Sequence, residues 1–374
     1  MSSSQDDVYR LAPGTEVVPL RGGGALFRSD TLSLELEGAS TQLFVERILP
    51  LLDGQRDFTT VAAALPGIAA SDLREHLDSL VNARVLKRMP RGAALPAPAL
   101  PFFALLEAWG LPLPAAQDAL SRLRVVVLGL EAHGAHAAGQ LADCGVGEVV
   151  LVDPYPCEPG NVALMPGVTS EAVGLPRQQV LARALESRRG GGRIVTAEPS
   201  LSREGVEALV RGASLALGCF DQGLSVANQW LNRAGVTLGV PTLYGELTSH
   251  VARVGPLVLP GNTACFMCYR MRSLACADDF ETAMAWEEHL DQQRTPRLHT
   301  RATLPSLAAQ AGSLLAQESL KLMLGLRPTP LSGHVLELDA LRLVPSLRPV
   351  LEKPDCPVCS KKAPGPLFLR DGRA

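Results

Sequence analysis

Two short cysteine hooks, Cys265-Phe-Met-Cys268 and Cys356-Pro-Val-Cys359, constrain this chain more than any other feature. In each hook a two-residue spacer lets both thiolates turn toward one centre. A fold that brings the hooks together closes a four-sulfur site of the kind zinc favours. Residues 269–355 lie between them, so the intervening chain must fold back on itself. A metal held by four thiolates keeps no position open for water or substrate, and its expected role is to pin the C-terminal tail. Two disulfides or four unrelated thiols are the competing reading of the same cysteines.

Composition narrows the class. The 374 residues leave room for two or three domains, and 47% hydrophobic with 20% charged residues is ordinary for a soluble globular protein. No run of about 18 apolar residues occurs, and the opening MSSSQDD lacks the basic and apolar regions of a signal peptide. The expectation is a cytoplasmic protein without a membrane segment, its eight cysteines kept reduced. A net charge of −3 offers no electrostatic footprint for nucleic acid. Five lysines against thirty arginines leave few lysines for a phosphate site.

The Pro/Ala-rich stretch at residues 90–101 reads as a linker. Three domains follow: residues 1–89, a linker with a connecting helix at 90–122, and residues 123–374. In the first, Glu16–Leu20, Gly24–Ser29 and Leu32–Glu37 read as strands, with Leu32, Leu34 and Leu36 on one face. Helices are expected at 41–49, ended by Pro50 ahead of an Asp53-Gly54 turn, at 60–65, and from an N-cap at Asp72 to about Met89. The last carries Leu73, Leu77, Leu80 and Val81 on one stripe. Three strands and three helices suggest a small winged-helix module, for which DNA is the default ligand. Asp72, Glu75 and Asp78 beside Arg74 and Arg84 make that helix a poor phosphate binder.

Beyond Arg122 the pattern is α/β. The run Arg124–Leu128, the turn Gly129-Leu-Glu-Ala-His-Gly134, a helix at 135–144 and the strand ending at Asp153 form a nucleotide-type βαβ unit. Asn161, Gly174-Leu-Pro-Arg177, Cys219-Phe-Asp221, Asn228-Gln-Trp-Leu-Asn232, Pro260-Gly-Asn-Thr-Ala-Cys265 and the distal hook follow in order, and residues 305–324 read as a long packing helix.

In this ordered series, residues 122–360 resemble the bacterial branch of the ubiquitin-activating superfamily (ThiF, MoeB, HesA). The resemblance implies a Rossmann-like activating-enzyme fold with a zinc tetrathiolate. Its catalytic members adenylate a carboxylate with ATP. Gly129, Gly134, Asp153, Arg177 and Asp221 fall on the family's nucleotide positions. The sequence departs from the family where the chemistry would be. Glu131 and Ala132 replace the middle glycines of the turn, Leu164 stands in place of a phosphate-gripping arginine, and Arg177 replaces a lysine. No thiol occurs in Arg297-Leu-His-Thr-Arg301, the neighbourhood of the family's acyl-accepting cysteine, and Cys276 lies close to the first hook. His299 reads equally as a surface histidine. No catalytic residue is assigned.

Residues 1–89 resemble the peptide-recognition elements of ribosomal peptide pathways, through Leu51-Leu-Asp-Gly54 and the helix from Leu73 to Leu86. In that family the leader of a precursor peptide adds a strand to the sheet beside the third helix. The resemblance implies Leu32, Leu34, Leu36, Leu73, Leu77 and Leu80 as peptide-binding residues. Together the two parts resemble the partner subunit of YcaO-family cyclodehydratases, which form thiazoline and oxazoline rings. The implied function is to bind the precursor leader and dock on a separate YcaO-type protein that spends the ATP, so this chain needs structural zinc but no ATP. A homodimer is compatible with this reading. An active adenylating enzyme acting on a peptide or carrier-protein C-terminus is the alternative, and a winged-helix regulator with an activating-enzyme-like sensor domain is a third.

Overall fold

A computed structural model describes residues 6–21, 23–30, 32–91, 102, 105–106, 111, 113–186, 192–198, 201–221, 225–292, 303–326 and 329–360. The chain divides into two units, residues 1–116 and 117–374.

The first unit contains two three-stranded sheets. The strands read from the alternating leucines, β2 (Glu16–Leu20), β3 (Gly24–Ser29) and β4 (Leu32–Glu37), form an antiparallel meander in the order β2-β3-β4. The second sheet was not expected. In it β1 (Asp7–Leu11) lies between β5 (Asp53–Asp57) and β6 (Leu86–Pro90). Asp53-Gly54 therefore opens a strand instead of making a free turn. Helix α1 (Ala39–Leu43) continues through a wider turn, Phe44–Ile48, whose Phe44 and Ile48 are buried. Helix α2 (Phe58–Ala63) is capped by Asp57, which accepts the Thr60 N–H at 2.8 Å.

The third helix is shorter than its leucine stripe suggests. Helix α3 spans Ala70–Asn82 with Ala69 at its N-cap, so the Asp72 cap is corrected, and residues 86–90 are strand, not helix. Arg84 at φ 62° breaks the helix, and β6 then pairs with β1 from Leu86 to Pro90. Tyr9, Phe27, Phe44, Phe58, Val61, Leu73, Leu77 and Leu86 fill the core of this unit.

Helix α4 (Leu113–Ser121) runs across the boundary between the units, and the second unit holds one eight-stranded sheet. In chain order come β7 (Arg124–Leu128), α5 (Ala132–Asp143), β8 (Glu148–Val152), α6 (Arg177–Glu186), β9 (Arg193–Thr196), α7 (Arg203–Val210), β10 (Leu215–Gly218), α8 (Ser225–Leu238), β11 (Thr242–Thr248) and β12 (Val251–Val258). Then follow α9 (Phe266–Ala275), α10 (Phe280–Gln292), α11 (Pro305–Met323, with proline in its first turn), β13 (His334–Asp339) and β14 (Val344–Pro349). The sheet order is β14-β13-β12-β11-β10-β7-β8-β9. Strands β11, β10, β7, β8 and β9 are parallel, and β12 to β14 extend the sheet antiparallel. Strand β7 is flanked by β8 on one side and β10 on the other. This reversal of strand order opens a crevice at the carboxyl ends of β7 and β10, where ligands of doubly wound sheets bind.

Candidate functional site

The crevice is built by the glycine turn after β7. Gly129 takes φ 91°, and a Cβ there would come within 2.7 Å of the Cys219 and Phe220 backbone. A Cβ on Gly134 would lie 2.4 Å from the Gly129 carbonyl oxygen. Both glycines are therefore required by close backbone packing, whatever binds in front of them.

An internal ion-pair cluster occupies the position expected to meet a nucleotide. Asp153, at the end of β8, is buried, and its Oδ2 accepts the Leu130 N–H at 2.6 Å and a bond from Arg177 Nη1 at 3.2 Å. Its Oδ1 accepts the Tyr155 N–H at 2.8 Å. Arg177, at the start of α6 and only 2% exposed, also lies 3.5 Å from Glu131 Oε1. Burial pushes the Asp153 carboxyl up against the attraction of Arg177. For Arg177 burial works the other way, but Asp153, Glu131 and Glu158 outweigh it and raise the guanidinium further. Three donors converge on Asp153, which identifies it as the carboxylate partner of a charged arginine. The sequence marked Glu131 as a repulsive group facing phosphate. Its pairing with Arg177 depends on residues 46 positions apart and was not legible.

Asp221 lies across the crevice, accepting the Leu247 N–H at 2.6 Å. His133, fully buried on α5, places Nδ1 3.8 Å from Asp221 Oδ1, and burial lowers its pKa to about 4. Leu164 closes a short helical turn at Asn161–Leu164, and its carbonyl oxygen bonds the His136 ring at 3.1 Å. Asn161 accepts the Glu158 N–H at 2.7 Å. The two asparagines of α8 are struts: Asn228 donates to the Phe220 carbonyl at 3.1 Å, and Asn232 accepts the Phe266 N–H at 2.9 Å.

That last bond sets the start of α9, beside the first cysteine hook. The Sγ atoms of Cys265, Cys268, Cys356 and Cys359 all lie within 4.8 Å of one another. The Cys265–Cys268, Cys265–Cys356 and Cys268–Cys359 separations are 3.9, 3.6 and 3.5 Å. A tetrahedral ion at about 2.3 Å from each sulfur requires sulfurs about 3.8 Å apart. The cluster fits a metal, and its cysteines are free thiols, not disulfides. Hydrogen bonding among the four thiols lowers Cys268 and Cys356 and raises Cys265 and Cys359. The Lys353 N–H points at Cys268 Sγ from 3.4 Å, and Arg272 on α9 donates to the carbonyls of Leu351 and Glu352 at 2.8 and 3.0 Å. The tail is thus sewn to α9 by backbone bonds as well as sulfur. Cys144, Cys157 and Cys219 all have pKa values raised by burial, so none is an activated nucleophile. Cys276 is exposed, and residues 297–301, including His299, lie outside the described residues.

In the first unit Leu32, Leu34 and Leu36 are half-buried and pack on the core. Leu73, Leu77 and Leu80, expected to line a peptide groove, are 2%, 0% and 5% exposed. They pack into the core of this unit. The outer edge of β4 pairs with no strand among the described residues.

The ThiF family profile matches residues 104–358. The SAMP-activating enzyme E1 of Haloferax volcanii is 26% identical over 248 residues, covering 66% of this chain and 84% of its own length. The sulfur carrier protein adenylyltransferase of Thermus thermophilus is 27% identical over 250 residues, covering 66% and 85%. Among solved structures, Escherichia coli MccB with MccA-N7isoASN superposes at TM-score 0.67 and 18% identity, covering 94% of this chain and 99% of that one. Selenomethionine PaaA gives 0.64 at 14% identity, covering 91% and 99%. These two likenesses are of fold. No helix among the described residues is long and apolar enough to cross a membrane. The order of motifs, the crevice at the β7/β10 reversal and the family match agree: this chain belongs to the ThiF family.

Proposed function

We propose that this chain is a non-adenylating, peptide-recruiting subunit. It binds the leader of a ribosomal precursor peptide and delivers it to a separate YcaO-type, ATP-dependent cyclodehydratase that forms thiazoline or oxazoline rings. The observation that carries this reading is the Asp153–Arg177–Glu131 cluster. The acid expected to take ribose hydroxyls is already engaged by two N–H groups and an arginine, and that arginine is turned inward onto two carboxylates. ATP would have to break a buried ion pair and then place phosphate beside Glu131, and both costs oppose its binding. A peptide-binding role is supported by the small first unit, whose sheets have edge strands that pair on one side only among the described residues. An apolar surface for the partner is available on the β13–β14 hairpin, where Leu341, Leu343 and Val344 are 73%, 77% and 57% exposed. Holding the precursor on the complex raises the effective concentration of its Cys, Ser or Thr at the partner's site. The four-cysteine cluster is assigned to structural zinc, held by Cys265, Cys268, Cys356 and Cys359.

An active adenylating enzyme is the second reading, favoured by the names of the relatives and by the presence of Asp153, Arg177 and Asp221 around one crevice. Substrate-dependent exchange of pyrophosphate into ATP separates the two. The isolated chain should show none, whereas exchange above background would establish the enzyme. With the YcaO-type protein present, a chain lacking residues 1–89 should leave ATP consumption intact and slow the processing of full-length precursor.

A further inference from the structure

Helix α10 packs against α8 and α9, yet none of residues 280–289 is fully buried by the described residues. Phe280 and Trp286 are 55% and 53% exposed. Thr282, Ala285, Trp286 and His289 recur at i, i+3, i+4 and i+7 and are all exposed, so they form one open stripe, on which the Trp286 and His289 rings stack at 6.2 Å. A helix of 13 residues is marginal in water by itself and takes its stability from the face it packs. We infer that residues 366–370 of this same chain, Pro366-Leu-Phe-Leu-Arg370, dock on that stripe and cover it. The inference is independent of the peptide-recruiting reading.

Position supplies the first reason. Residues 361–374 lie outside the described residues, but the chain that leads into them is fixed beside α9. Cys359 Sγ lies 3.5 Å from Cys268 Sγ, and the Ser360 N–H donates to the Cys356 carbonyl at 3.2 Å. Two residues beyond Cys268 on α9, a step of about 3 Å along the axis, Arg270 pairs with Glu287, the neighbour of Trp286. The tail therefore leaves the second cysteine hook level with the Trp286 end of α10. Six residues lead from Ser360 to Pro366. Extended, such a length spans up to about 20 Å, enough to bring Leu367 to Leu369 onto the stripe.

Charge supplies the second. Residues 278–289 contain the acids Asp278, Asp279, Glu281, Glu287 and Glu288 and no lysine or arginine. On the neighbouring helix Arg270 answers Glu287, while Arg272 is committed to the Leu351 and Glu352 carbonyls. Asp279 is occupied as the helix cap, accepting the Glu281 N–H at 3.0 Å. Residues 361–374 carry Lys361, Lys362, Arg370 and Arg373 against Asp371, with Leu367, Phe368 and Leu369 between the two basic groups. The order matches that of α10 read backward. Entering from the Glu287 end, the lysines meet Glu287 and Glu288, the three apolar residues meet Trp286, Ala285 and Thr282, and Arg370 comes to Glu281 and Asp278. The other exposed apolar patch, on the β13–β14 hairpin, already pairs Arg342 with Asp339 and Arg348 with Glu337, so it offers a cationic tail no such preference.

The test uses the full chain with photoreactive benzoylphenylalanine in place of Phe368, mixing isotope-labelled and unlabelled copies and mapping cross-links by mass spectrometry. Cross-links should fall within residues 278–289 of the same copy. Amide exchange across residues 280–289 should quicken about tenfold or more in Leu367→Ser/Phe368→Ser/Leu369→Ser, with unchanged circular dichroism. Asp278→Lys/Glu281→Lys should quicken it as well. Acids in a first turn also stabilise a helix locally, so a rescue separates the two causes: adding Arg370→Glu/Arg373→Glu to that variant should restore slow exchange. Cross-links to the β13–β14 hairpin, to a second copy or to nothing would overturn the docking. So would an unchanged exchange rate in the triple-serine variant, or a charge reversal that rescues nothing.

Discussion

Cys356 is the one fully buried side chain in residues 351–360, whose other members are exposed or half-buried. So little apolar burial leaves the order of these ten residues to the hydrogen bonds from Arg272 and Lys353 and to the cysteine cluster, where a bound metal would add to it. A structural zinc site contributes on the order of 10 kcal/mol to folding. Elemental analysis should find one zinc per chain, and Cys356→Ser should abolish it and open residues 351–360 to protease. Full zinc content with unchanged proteolysis would refute the assignment. His133 gives a second residue-scale expectation. Its folded pKa is about 4 against an ordinary 6.5, because burial disfavours the imidazolium. The unfolded chain takes up a proton below pH 6.5 that the native state refuses until about pH 4, so stability falls as pH drops through that window. The whole effect is about 3 kcal/mol. Urea unfolding at pH 7 and pH 4.5 should show it, and His133→Leu should flatten the dependence. An identical pH slope in the variant would remove His133 as its cause. These two residues were unequally legible: the cysteine spacing is a local signal, whereas the histidine looks ordinary until α5 is packed.

At the level of elements, the strands found correctly were those whose side chains alternate. Leu32, Leu34 and Leu36 face the core between polar Ser33, Glu35 and Glu37, and β2 to β4 lie where that pattern puts them. Strands β5, DGQRD, and β6, LKRMP, carry no such alternation, and their existence depends on β1 lying between them. The same absence let the leucine stripe of α3 run on past its true end. The β13–β14 hairpin carries a testable strain. Asp339 caps it by accepting the Leu341 N–H at 2.9 Å, and Leu343 closes it at φ 53°, a left-handed conformation that costs a leucine about 1 kcal/mol. Since Leu343 is 77% exposed, Leu343→Gly gives up little packing and should raise unfolding stability by about 1 kcal/mol in urea titrations. A loss of stability would mean that the leucine side chain is held by contacts that outweigh the strain.

Over the whole molecule, each unit has its own core, one around Tyr9, Phe27, Phe44 and Leu77, the other around the central strands and the cysteine cluster. The sequence by itself determined the α/β class, the glycine turn after β7, the terminal Asp153, the four-cysteine set and the leucine meander of the first unit. Each of these is written in a period or a spacing of a few residues, or in motifs whose order survives without coordinates. Only the tertiary structure decided what those residues do. Arg177 is 24 positions from Asp153 and 46 from Glu131, and whether it faces a nucleotide or turns inward depends on where α6 meets the crevice. Leu73, Leu77 and Leu80 share a stripe that suits either a core or a groove, and their burial beneath the sheets assigned them to the core. Periodicity tells which side chains share a face. What that face meets is set by long-range packing, in which burial and charge pairing are resolved together.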